Sequence, residues 1–438
     1  MSLWWDLVVR PSFTSSDLRA LDQRWDVLIV GGGFSGLWSA HHLLNADPHL
    51  KIAILEKGRV GSGASGRNGG WVSALYPVSE RALGKHFSSA HIASLHHELR
   101  ISIDEIAQFA SQQKIHCGFH KGGSLVVARN DGQLGRLRNQ LSAGETLLTQ
   151  DQTQEKIEMA GARGSAYNPD CAVINPAELV VGLAKSLENR GVSIFENHEA
   201  RFTTKNDVIV NGKTIKADFV LRATEAYREG TRNQIPIYSL IVATEPLADS
   251  TIAGIGLADR EAFSDASHLV SYAQRTEDNR LVIGGRGAPY SWGSRRRDSF
   301  EMRLKDHERL RAMARSWFPI LEKTTFTHAW GGAVGMTRDW SPYVRVNEKY
   351  GEMGGYVGDG VTLSYLAAHS MADRLLGNQT VRANLPYVQW KSRMWEAEPW
   401  RWLSVNSAIQ LTKLADREES FTNRPSVLMR TLDPIVGR

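Results

Sequence analysis

The sequence predicts an α/β protein in which a parallel-sheet domain is interrupted by a second, mixed or antiparallel sheet. The chain opens with a strand, a glycine-rich turn, a helix and a second strand between Asp26 and Glu56, which is the order of a parallel βαβ unit. Longer apolar strands without intervening helices follow between Pro236 and Pro289. Residues 351–376 then return to strand, glycine loop and helix, so the first domain is discontinuous.

The βαβ unit carries the pattern of a dinucleotide site. Its first strand ends in Gly31-Gly32-Gly33-Phe34-Ser35-Gly36, which matches G-x-G-x-x-G, and Glu56 follows Gly36 by 20 residues. Glycines allow a tight turn and a close approach of the backbone to a pyrophosphate, whose charge the helix N-terminus stabilises. An acid at this distance is placed to bind the ribose hydroxyl groups. The unit therefore predicts a bound dinucleotide.

Two further glycine-rich segments accompany this unit. Residues 61–70 follow Glu56 directly, and their small side chains leave a backbone that can pass close to a flat or charged ligand. Residues 354–362 open a helix, whose first turn offers unpaired amides and partial positive charge. Both segments are interpreted as ligand contacts rather than as a surface loop and an ordinary helix start.

Changes of pattern along the chain divide it into two domains. Residues 81–159 and 231–329 are assigned to a substrate-binding domain, and the discontinuous first domain takes the remaining segments: 1–80, 160–230 and 330–438. A tryptophan-rich helical extension at 390–438 is included in the first domain. Residues 131–160 are polar and are predicted to be helical.

Bulk properties indicate a cytoplasmic globular protein. The 438 residues are 42% apolar and 23% charged, with a formal net charge of +5 and no apolar run of the roughly 18 residues that a membrane span needs. Cys117 and Cys171 are too few for a disulfide framework, and the histidines lack metal-ligand spacing, so no metal site is predicted. The sequence has no basic stripe interleaved with aromatic residues, so nucleic-acid binding is not predicted. The oligomeric state stays open.

Together, these motifs make the chain resemble the D-amino-acid oxidase and glycine oxidase superfamily of FAD enzymes, and in particular its γ-glutamylputrescine oxidoreductase-like branch. The resemblance covers roughly residues 25–400. It is carried by G-x-G-x-x-G with Glu56 and by these blocks: Gly63–Gly70, Pro236–Pro246, Asn279–Arg286, Trp330–Gly332, Arg338–Pro342 and Gly355–Gly360.

The resemblance implies a Rossmann-like FAD-binding domain of the glutathione-reductase type, with the second sheet inserted as a roof over the flavin. The cofactor-binding residues that it implies are Gly31, Gly33, Phe34, Ser35, Gly36, Glu56, Lys57, Gly63, Ala64, Ser65, Arg67, Asn68, Gly69, Gly70, Ala200, Thr224, Gly332, Gly358, Asp359, Gly360, Val361 and Thr362.

The implied activity is oxidation of a primary or secondary amine or an amino acid by hydride transfer to flavin N5. The resulting imine hydrolyses to an aldehyde or keto acid plus ammonia or an amine, with H₂O₂ formed if oxygen is the acceptor. A non-catalytic FAD-binding protein and an RNA-modifying FAD oxidoreductase are the alternatives.

Two departures from related enzymes matter. Sarcosine-oxidase-like relatives carry an oxygen-assisting lysine where this chain has Val282, so oxidase and dehydrogenase activity both stay open. Those relatives also link flavin to a cysteine near the Trp330–Gly332 block, whereas no cysteine follows Cys171 here. The prediction is therefore non-covalently bound FAD.

Four residues on the roof elements are the candidate substrate or catalytic residues: Tyr238, Tyr272, Arg286 and Trp330. The aromatic residues can equally be core packing. Arg286 follows Gly284-Gly285 at the end of an apolar strand, where a guanidinium can bind a substrate carboxylate or phosphonate, or form a structural ion pair.

Overall fold

A parallel sheet forms the first domain of the computed structural model, which describes residues 2–13, 21–142, 144–203, 207–228 and 230–429. Within these ranges the first sheet has six strands, in the order Tyr343–Val346, Tyr350–Gly354, Ala217–Arg222, Trp25–Val30, Ile52–Leu55 and Ser193–Phe195. All neighbours pair in parallel except the first two strands, which are antiparallel.

Alternating residues of the central strand Trp25–Val30 pack on two different layers. Val27 and Ile29 join the large core beneath the helices. Leu28 and Val30 join a smaller core formed with a three-stranded antiparallel sheet of Ala200–Phe202, Val208–Val210 and Lys213–Ile215. Because both faces are covered, the strand is apolar throughout, as the sequence shows. The hairpin turn at Asn211-Gly212 connects two of the small strands.

Four helices supply most of the large core: Phe34–Ala46, Ser89–Gln112, Pro176–Asn189 and Gly360–Leu376. Each has an apolar stripe, and two of them begin at capping residues. The Asn175 side chain accepts hydrogen bonds from the amides of Ala177 and Glu178, and Ser88 caps the helix that follows it. Helix Ser89–Gln112, assigned from the sequence to the substrate-binding domain, buries its stripe in the core of the first domain.

The second sheet is mixed and has eight strands among the described residues. Their order is Phe326–Thr337, Gln234–Thr244, Leu281–Gly285, Ser271–Arg275, Ala262–Asp265, Ser124–Ala128, Gly164–Asn168 and Thr146–Leu148. The pair Ala262–Asp265 and Ser124–Ala128 is parallel, and the other neighbours are antiparallel. The predicted fold class, a Rossmann-like domain with an inserted mixed sheet, is confirmed.

The prediction of a helical segment at 131–160 is wrong in its middle. Helix Asp131–Gln140 ends early, and Thr146–Leu148 adds an edge strand to Gly164–Asn168. Thr149 then starts the short helix Gln150–Gln154 with a capping box, in which the Thr149 and Gln152 side chains bond to each other's backbone amides.

Shorter elements complete the described chain. Trp71–Ser73 pairs with Cys171–Val173 in a two-stranded sheet. The remaining α-helices of the described residues are Leu3–Asp6, Glu80–Leu83, Asp249–Ala253, Asp298–Glu301, Leu304–Trp317 and Trp400–Thr422. In the part of the chain that the structure describes, none of the helices combines the length and the apolar character that crossing a membrane requires.

The C-terminal helix Trp400–Thr422 packs on the second sheet and its connections, although the sequence assigned it to the first domain. Glu419 pairs with Arg136 at 2.7 Å, and Asp416 accepts hydrogen bonds from the amides of His268 and Leu269 at 2.7 and 3.0 Å. These polar partners are far away in the sequence, so the periodicity of the helix alone does not reveal them. Residues 430–438 of the predicted extension lie outside the described residues.

Candidate functional site

The turn after the first strand is built around two glycines. Gly31 has φ +118°, and its amide donates to the Leu55 carbonyl at 2.8 Å. A Cβ at Gly36 would lie 2.0 Å from the Gly31 carbonyl oxygen, so only glycine allows the helix to start this close to the turn. The Phe34 amide donates to Ser65 Oγ at 2.9 Å, which ties this helix start to the next glycine-rich segment.

Glu56 ends the neighbouring strand, and its carboxylate faces the same turn. The amides of Gly32 and Gly58 each donate to one of its oxygens at 2.8 Å. Burial raises the pKa of Glu56, and these two amides oppose the rise. Lys57, the next residue, pairs with Glu199 at 2.7 Å on the exposed side. The strand end thus fixes a carboxylate beside the glycine turn.

The segment 61–70 passes between the two domains. Arg67 pairs with Glu301 at 2.5 Å and donates to the Tyr227 hydroxyl at 3.1 Å. The indole Nε1 of Trp330 donates to the Arg67 carbonyl at 2.9 Å, so this candidate catalytic residue holds the segment. Arg67 and Trp330 therefore anchor the segment against the second sheet.

The N-terminal helix Leu3–Asp6 supports the same segment from below. Trp4 Nε1 donates to the Asn68 carbonyl at 2.8 Å, and the Trp4 and Trp330 rings meet edge to face at 6.3 Å. Trp5 lies so close to Gly66 that a Cβ there would come within 2.4 Å of its ring. The sequence did not reveal this role, because the helix is short and its contacts are with residues 60 or more positions away.

The third glycine-rich segment is held by Glu225, which sequence reasoning also missed. Its carboxylate accepts hydrogen bonds from the amides of Gly335 at 2.8 Å, Gly355 at 3.2 Å and Ala226. Burial raises the pKa of Glu225, and the amides oppose the rise. An acid directly after a buried strand was the available signal, since it follows Ala217–Arg222 at the carboxyl edge of the first sheet.

These elements surround a cleft of about 800 Å³. Fifteen of the predicted cofactor-binding residues line it: Gly31, Gly33, Phe34, Ser35, Glu56, Lys57, Gly63, Ala64, Ser65, Asn68, Ala200, Thr224, Gly358, Gly360 and Val361. The volume falls within the roughly 300–1,000 Å³ of small-molecule and cofactor sites. The structure therefore brings residues of all three glycine-rich segments, together with Glu56, Ala200 and Thr224, to one cavity.

The other predicted cofactor residues lie beside this cavity. Gly36 belongs to the helix start, and Arg67 to the domain contact. Gly69 and Gly70 pack against the second sheet, where a Cβ would lie 2.3 Å from Tyr272 and 2.1 Å from Gln274. A Cβ on Gly332 would meet no atom within 4 Å, so this position borders open space. Asp359 and Thr362 are at the start of helix Gly360–Leu376.

Tyr238 and Tyr272 lie on opposite faces of the second sheet. Tyr272 packs on the core of the first domain, and its hydroxyl and Ser239 Oγ are 2.8 Å apart. Tyr238 is 1% exposed in the other core, with Leu240 and Val242, and its hydroxyl accepts a hydrogen bond from the Arg297 amide at 2.8 Å. Tyr238 thus packs in the core that faces away from the first domain.

Arg286 reaches from the second sheet to the third glycine-rich segment. Its Nη2 donates to the Val357 carbonyl, and its guanidinium carbon lies 5.5 Å from the centroid of the Trp340 ring. Burial lowers the pKa of Arg286, and the charge of Asp359 opposes this effect. Arg286 therefore has a backbone partner and a charged neighbour within the protein, a combination that the sequence did not show.

Comparison with known proteins agrees with this geometry. The DAO family model, described as FAD dependent oxidoreductase, matches residues 26–374. The chain belongs to the DAO family. It is an FAD-dependent oxidoreductase, and the predicted family and cofactor are confirmed.

Individual relatives match over most of their length. γ-Glutamylputrescine oxidoreductase of Escherichia coli (strain K12) is 28% identical over 382 residues, which cover 83% of this chain and 87% of that protein. Glycine oxidase of Bacillus licheniformis is 23% identical over 372 residues, covering 81% and 94%. The solved structure of glycine oxidase from Geobacillus kaustophilus has a TM-score of 0.67 at 22% identity, covering 82% of this chain and 96% of the other. That structural match supports the shared fold.

The residues present fit FAD. The glycine turn and Glu56 have the spacing that a pyrophosphate and ribose need, and residues of both line the cleft. Thr362 Oγ1, in the first turn of helix Gly360–Leu376, is buried without a hydrogen-bond partner among the described residues. An unpaired buried hydroxyl costs free energy, which a bound polar group would recover.

Proposed function

We propose that this DAO-family enzyme oxidises a primary or secondary amine or amino acid at the carbon that bears the nitrogen. When bound, FAD would supply the acceptor for the hydride of that carbon; with loss of a proton from the nitrogen, the C–N single bond of the substrate becomes an imine. Water then converts the imine into an aldehyde or keto acid and releases ammonia or an amine. The protein's own residues position the substrate and exclude water from the reacting carbon.

The names of the relatives carry this proposal. γ-Glutamylputrescine and glycine each contain a carbon that bears both nitrogen and hydrogen, the group that such an oxidation needs. These relatives cover more than four fifths of the chain. Because substrate identity depends on site residues rather than on the fold, the proposal names the amine class and no individual amine.

The second sheet supports the proposal because the side chains that it turns towards the first domain are mostly apolar and exclude water. Tyr272, Trp330 and Val282 pack towards the first domain from three strands of this sheet. Gly332 borders open space on the same sheet, which leaves room for a small substrate. Arg286, at the end of its strand, is the cationic group that would bind an anionic part of the substrate.

Non-covalent attachment of FAD is part of the proposal. The two cysteines, Cys117 and Cys171, are buried and are not among the residues that line the cleft. Denaturation of the purified protein by heat or acid is expected to release a yellow chromophore with the mobility of free FAD. A flavin that stays with the precipitated protein would show a covalent bond instead.

Anaerobic mixing of the holoenzyme with a panel of amines, amino acids, polyamine conjugates and aminophosphonates tests the function. At least one of them is expected to bleach the visible flavin absorbance, and dithionite gives the fully reduced reference. Detection of the matching aldehyde or keto acid confirms the product. Dithionite bleaching without any response to the panel would contradict amine oxidation and favour a non-catalytic protein. A salt-dependent gel shift with tRNA would favour RNA modification.

A further inference from the structure

Three consecutive arginines, Arg295-Arg296-Arg297, form the densest basic run of the sequence, and only the middle one reaches the cleft. Arg295 and Arg297 are exposed residues, and neither belongs to the described lining of the cleft. Arg296 is half-buried and does line it. The run is therefore more than a solvated loop, because one of its three charges faces the cofactor site.

The loop that carries Arg296 is fixed on both sides by hydrogen bonds of its backbone. Before the run, the Gly293 amide donates to Glu398 Oε1 at 2.9 Å. Directly after Arg296, the Arg297 amide donates to the Tyr238 hydroxyl at 2.8 Å. Because the chain is held at both points, the packing of the second domain determines that the side chain of Arg296 lies at the cleft.

The guanidinium group of Arg296 has no partner of opposite charge within the described ranges. Its Nε atom is buried without a hydrogen-bond partner, and its side chain forms no ion pair there. It lies against the Tyr227 ring, whose centroid is 4.4 Å from the guanidinium carbon. Burial raises the pKa of the Tyr227 phenol, so the ring is neutral and does not balance the charge. A half-buried charge without a counter-charge costs free energy, which a bound anion would recover.

Arg67 contacts the same tyrosine and shows the contrast. Its guanidinium donates to the Tyr227 hydroxyl at 3.1 Å and pairs with Glu301 at 2.5 Å. The charge of Arg67 is thus balanced within the protein, and the Glu301 carboxylate is already used. Of the two arginines that contact Tyr227, Arg296 is left for a ligand.

The other lysine and arginine residues of the lining belong to the first domain. Lys57 and Arg228 have carboxylate partners at 2.7 and 2.6 Å. Arg222 lies on the ring of Phe202, 3.5 Å from its centroid, and Arg201 precedes Phe202 in the three-stranded sheet. In the described part of the chain, the second domain therefore contributes a single basic residue to the cleft, and that residue has no carboxylate partner.

A series of close contacts connects Arg296 to the glycine turn. A Cβ on Gly33 would lie 2.8 Å from Ser65 Oγ, and a Cβ on Gly63 would lie 3.2 Å from the Tyr227 ring. All of these residues line the same cleft as Arg296. The unpaired guanidinium thus shares one cavity with the turn whose spacing fits a pyrophosphate.

We propose that Arg296 binds the pyrophosphate of FAD from the second domain, so that the cofactor holds the two domains together. The pyrophosphate is the group of oxidised FAD that is anionic at neutral pH, and a guanidinium forms charge-assisted hydrogen bonds with phosphate oxygens. The glycine turn and the helix N-terminus that follows it would bind the same group from the first domain. Because family membership establishes FAD, this proposal goes beyond amine oxidation and does not depend on it.

Three ligands separate the parts of the cofactor. FAD and ADP-ribose both carry adenosine and a diphosphate, whereas riboflavin carries the flavin without any phosphate. The Kd for FAD is obtained by dilution of the holoenzyme, and the Kd values for ADP-ribose and riboflavin are obtained from displacement of the bound FAD. Free FAD is separated by ultrafiltration and quantified by chromatography, so the measurement is independent of activity.

Arg296→Gln removes the charge of this side chain. It is expected to raise the Kd for FAD and for ADP-ribose by about 10- to 150-fold, the scale of a hydrogen bond to a charged group, and to leave riboflavin unchanged. Arg296→Lys keeps the charge but loses the planar fork, so it should raise both Kd values less than Arg296→Gln does. Arg295→Gln removes the exposed neighbouring charge and is the matched control, which should bind all three ligands normally.

Three results would overturn the proposal. Equal weakening of riboflavin and ADP-ribose by Arg296→Gln would show a general disturbance of the cleft. An equal loss in Arg295→Gln would show that the net charge of the run acts, rather than a contact of Arg296. Unchanged binding of FAD and ADP-ribose, with a raised KM for an anionic amine alone, would place Arg296 at the substrate.

Folding of the variants is controlled separately. Circular dichroism and thermal unfolding show whether Arg296→Gln has the wild-type fold. If this variant yields no folded holoenzyme, Arg296→Lys carries the test, because its shorter reach should still weaken ADP-ribose more than riboflavin. Equal effects of Arg296→Lys on these two ligands would contradict a contact with the pyrophosphate.

Discussion

Substitution of Gly36 by alanine is expected to weaken FAD binding by a steric mechanism that the structure specifies. The added Cβ would lie 2.0 Å from the Gly31 carbonyl oxygen and 3.0 Å from Ile29 Cγ2. Neither atom can move independently, since one is the backbone of the turn and the other is a buried strand residue. Relief of the overlap therefore requires the helix start to move away from the strand, which widens the glycine turn.

The magnitude follows from the balance of two opposing effects. Overpacking of a well-packed region costs about 1–3 kcal/mol. Alanine is a better helix former than glycine by about 1 kcal/mol, but this gain concerns the helix alone and cannot restore the turn. At 1.4 kcal/mol for each factor of ten, the Kd for FAD should rise by about 5- to 150-fold.

The assay is titration of deflavinated protein with FAD, followed by quenching of flavin fluorescence, together with thermal unfolding. Gly135→Ala is the matched control, because Gly135 is also in a helix, Asp131–Gln140, and a Cβ there would meet no atom within 4 Å. This control should gain about 0.5–1 kcal/mol of stability and bind FAD normally. Equal FAD affinity in both variants would refute the steric explanation.

Three further predictions follow from particular contacts. Burial lowers the pKa of His41 to about 4 and that of His42 well below its usual range. Because the unfolded chain then binds protons that the folded chain excludes, the melting temperature should fall as the pH drops from about 6.5 towards about 4. A melting temperature that stays constant over this pH range would contradict the burial of these two rings. Trp4→Ala should cost about 3–5 kcal/mol of stability and reduce FAD retention, because Trp4 supports the Asn68 backbone; full FAD content at unchanged stability would exclude that role. Rapid mixing of reduced enzyme with air-saturated buffer should show slow reoxidation, since buried Val282 provides no positive charge, and fast reoxidation would place a cation elsewhere near the flavin.

The local motifs could be predicted because their contacts are close in the sequence. Gly31, Gly36 and Glu56 act within one βαβ unit, whose order dictates how they meet. The partners of Glu225 and Trp4 could not be predicted, because Gly335, Gly355 and Asn68 are brought to them only by the tertiary fold. For Trp4 a local signal was also lacking, since helix Leu3–Asp6 is too short to show a periodicity.

The substrate residues were hard to predict mainly because the sequence does not show which face of a buried strand meets the first domain. In strand Gln234–Thr244, Tyr238 and Leu240 face one core, and Ile241 faces the other. A shift of one residue reverses the faces, and the nearly continuous apolar run carries no alternation that would indicate which face meets the first domain. The apolar run therefore does not exclude Tyr238 as a substrate residue, although it is Ser239 that lies on the side of Tyr272.

The rate of flavin reduction with a deuterated substrate tests the central claim most directly. Once the panel identifies an amine that bleaches the flavin, that amine and its form with deuterium on the nitrogen-bearing carbon are compared by anaerobic rapid mixing. The account predicts bleaching that is several-fold slower with deuterium, because the C–H bond breaks as the flavin is reduced. Equal rates with both forms, at saturating concentrations and with flavin reduction as the observed step, would contradict hydride removal from that carbon.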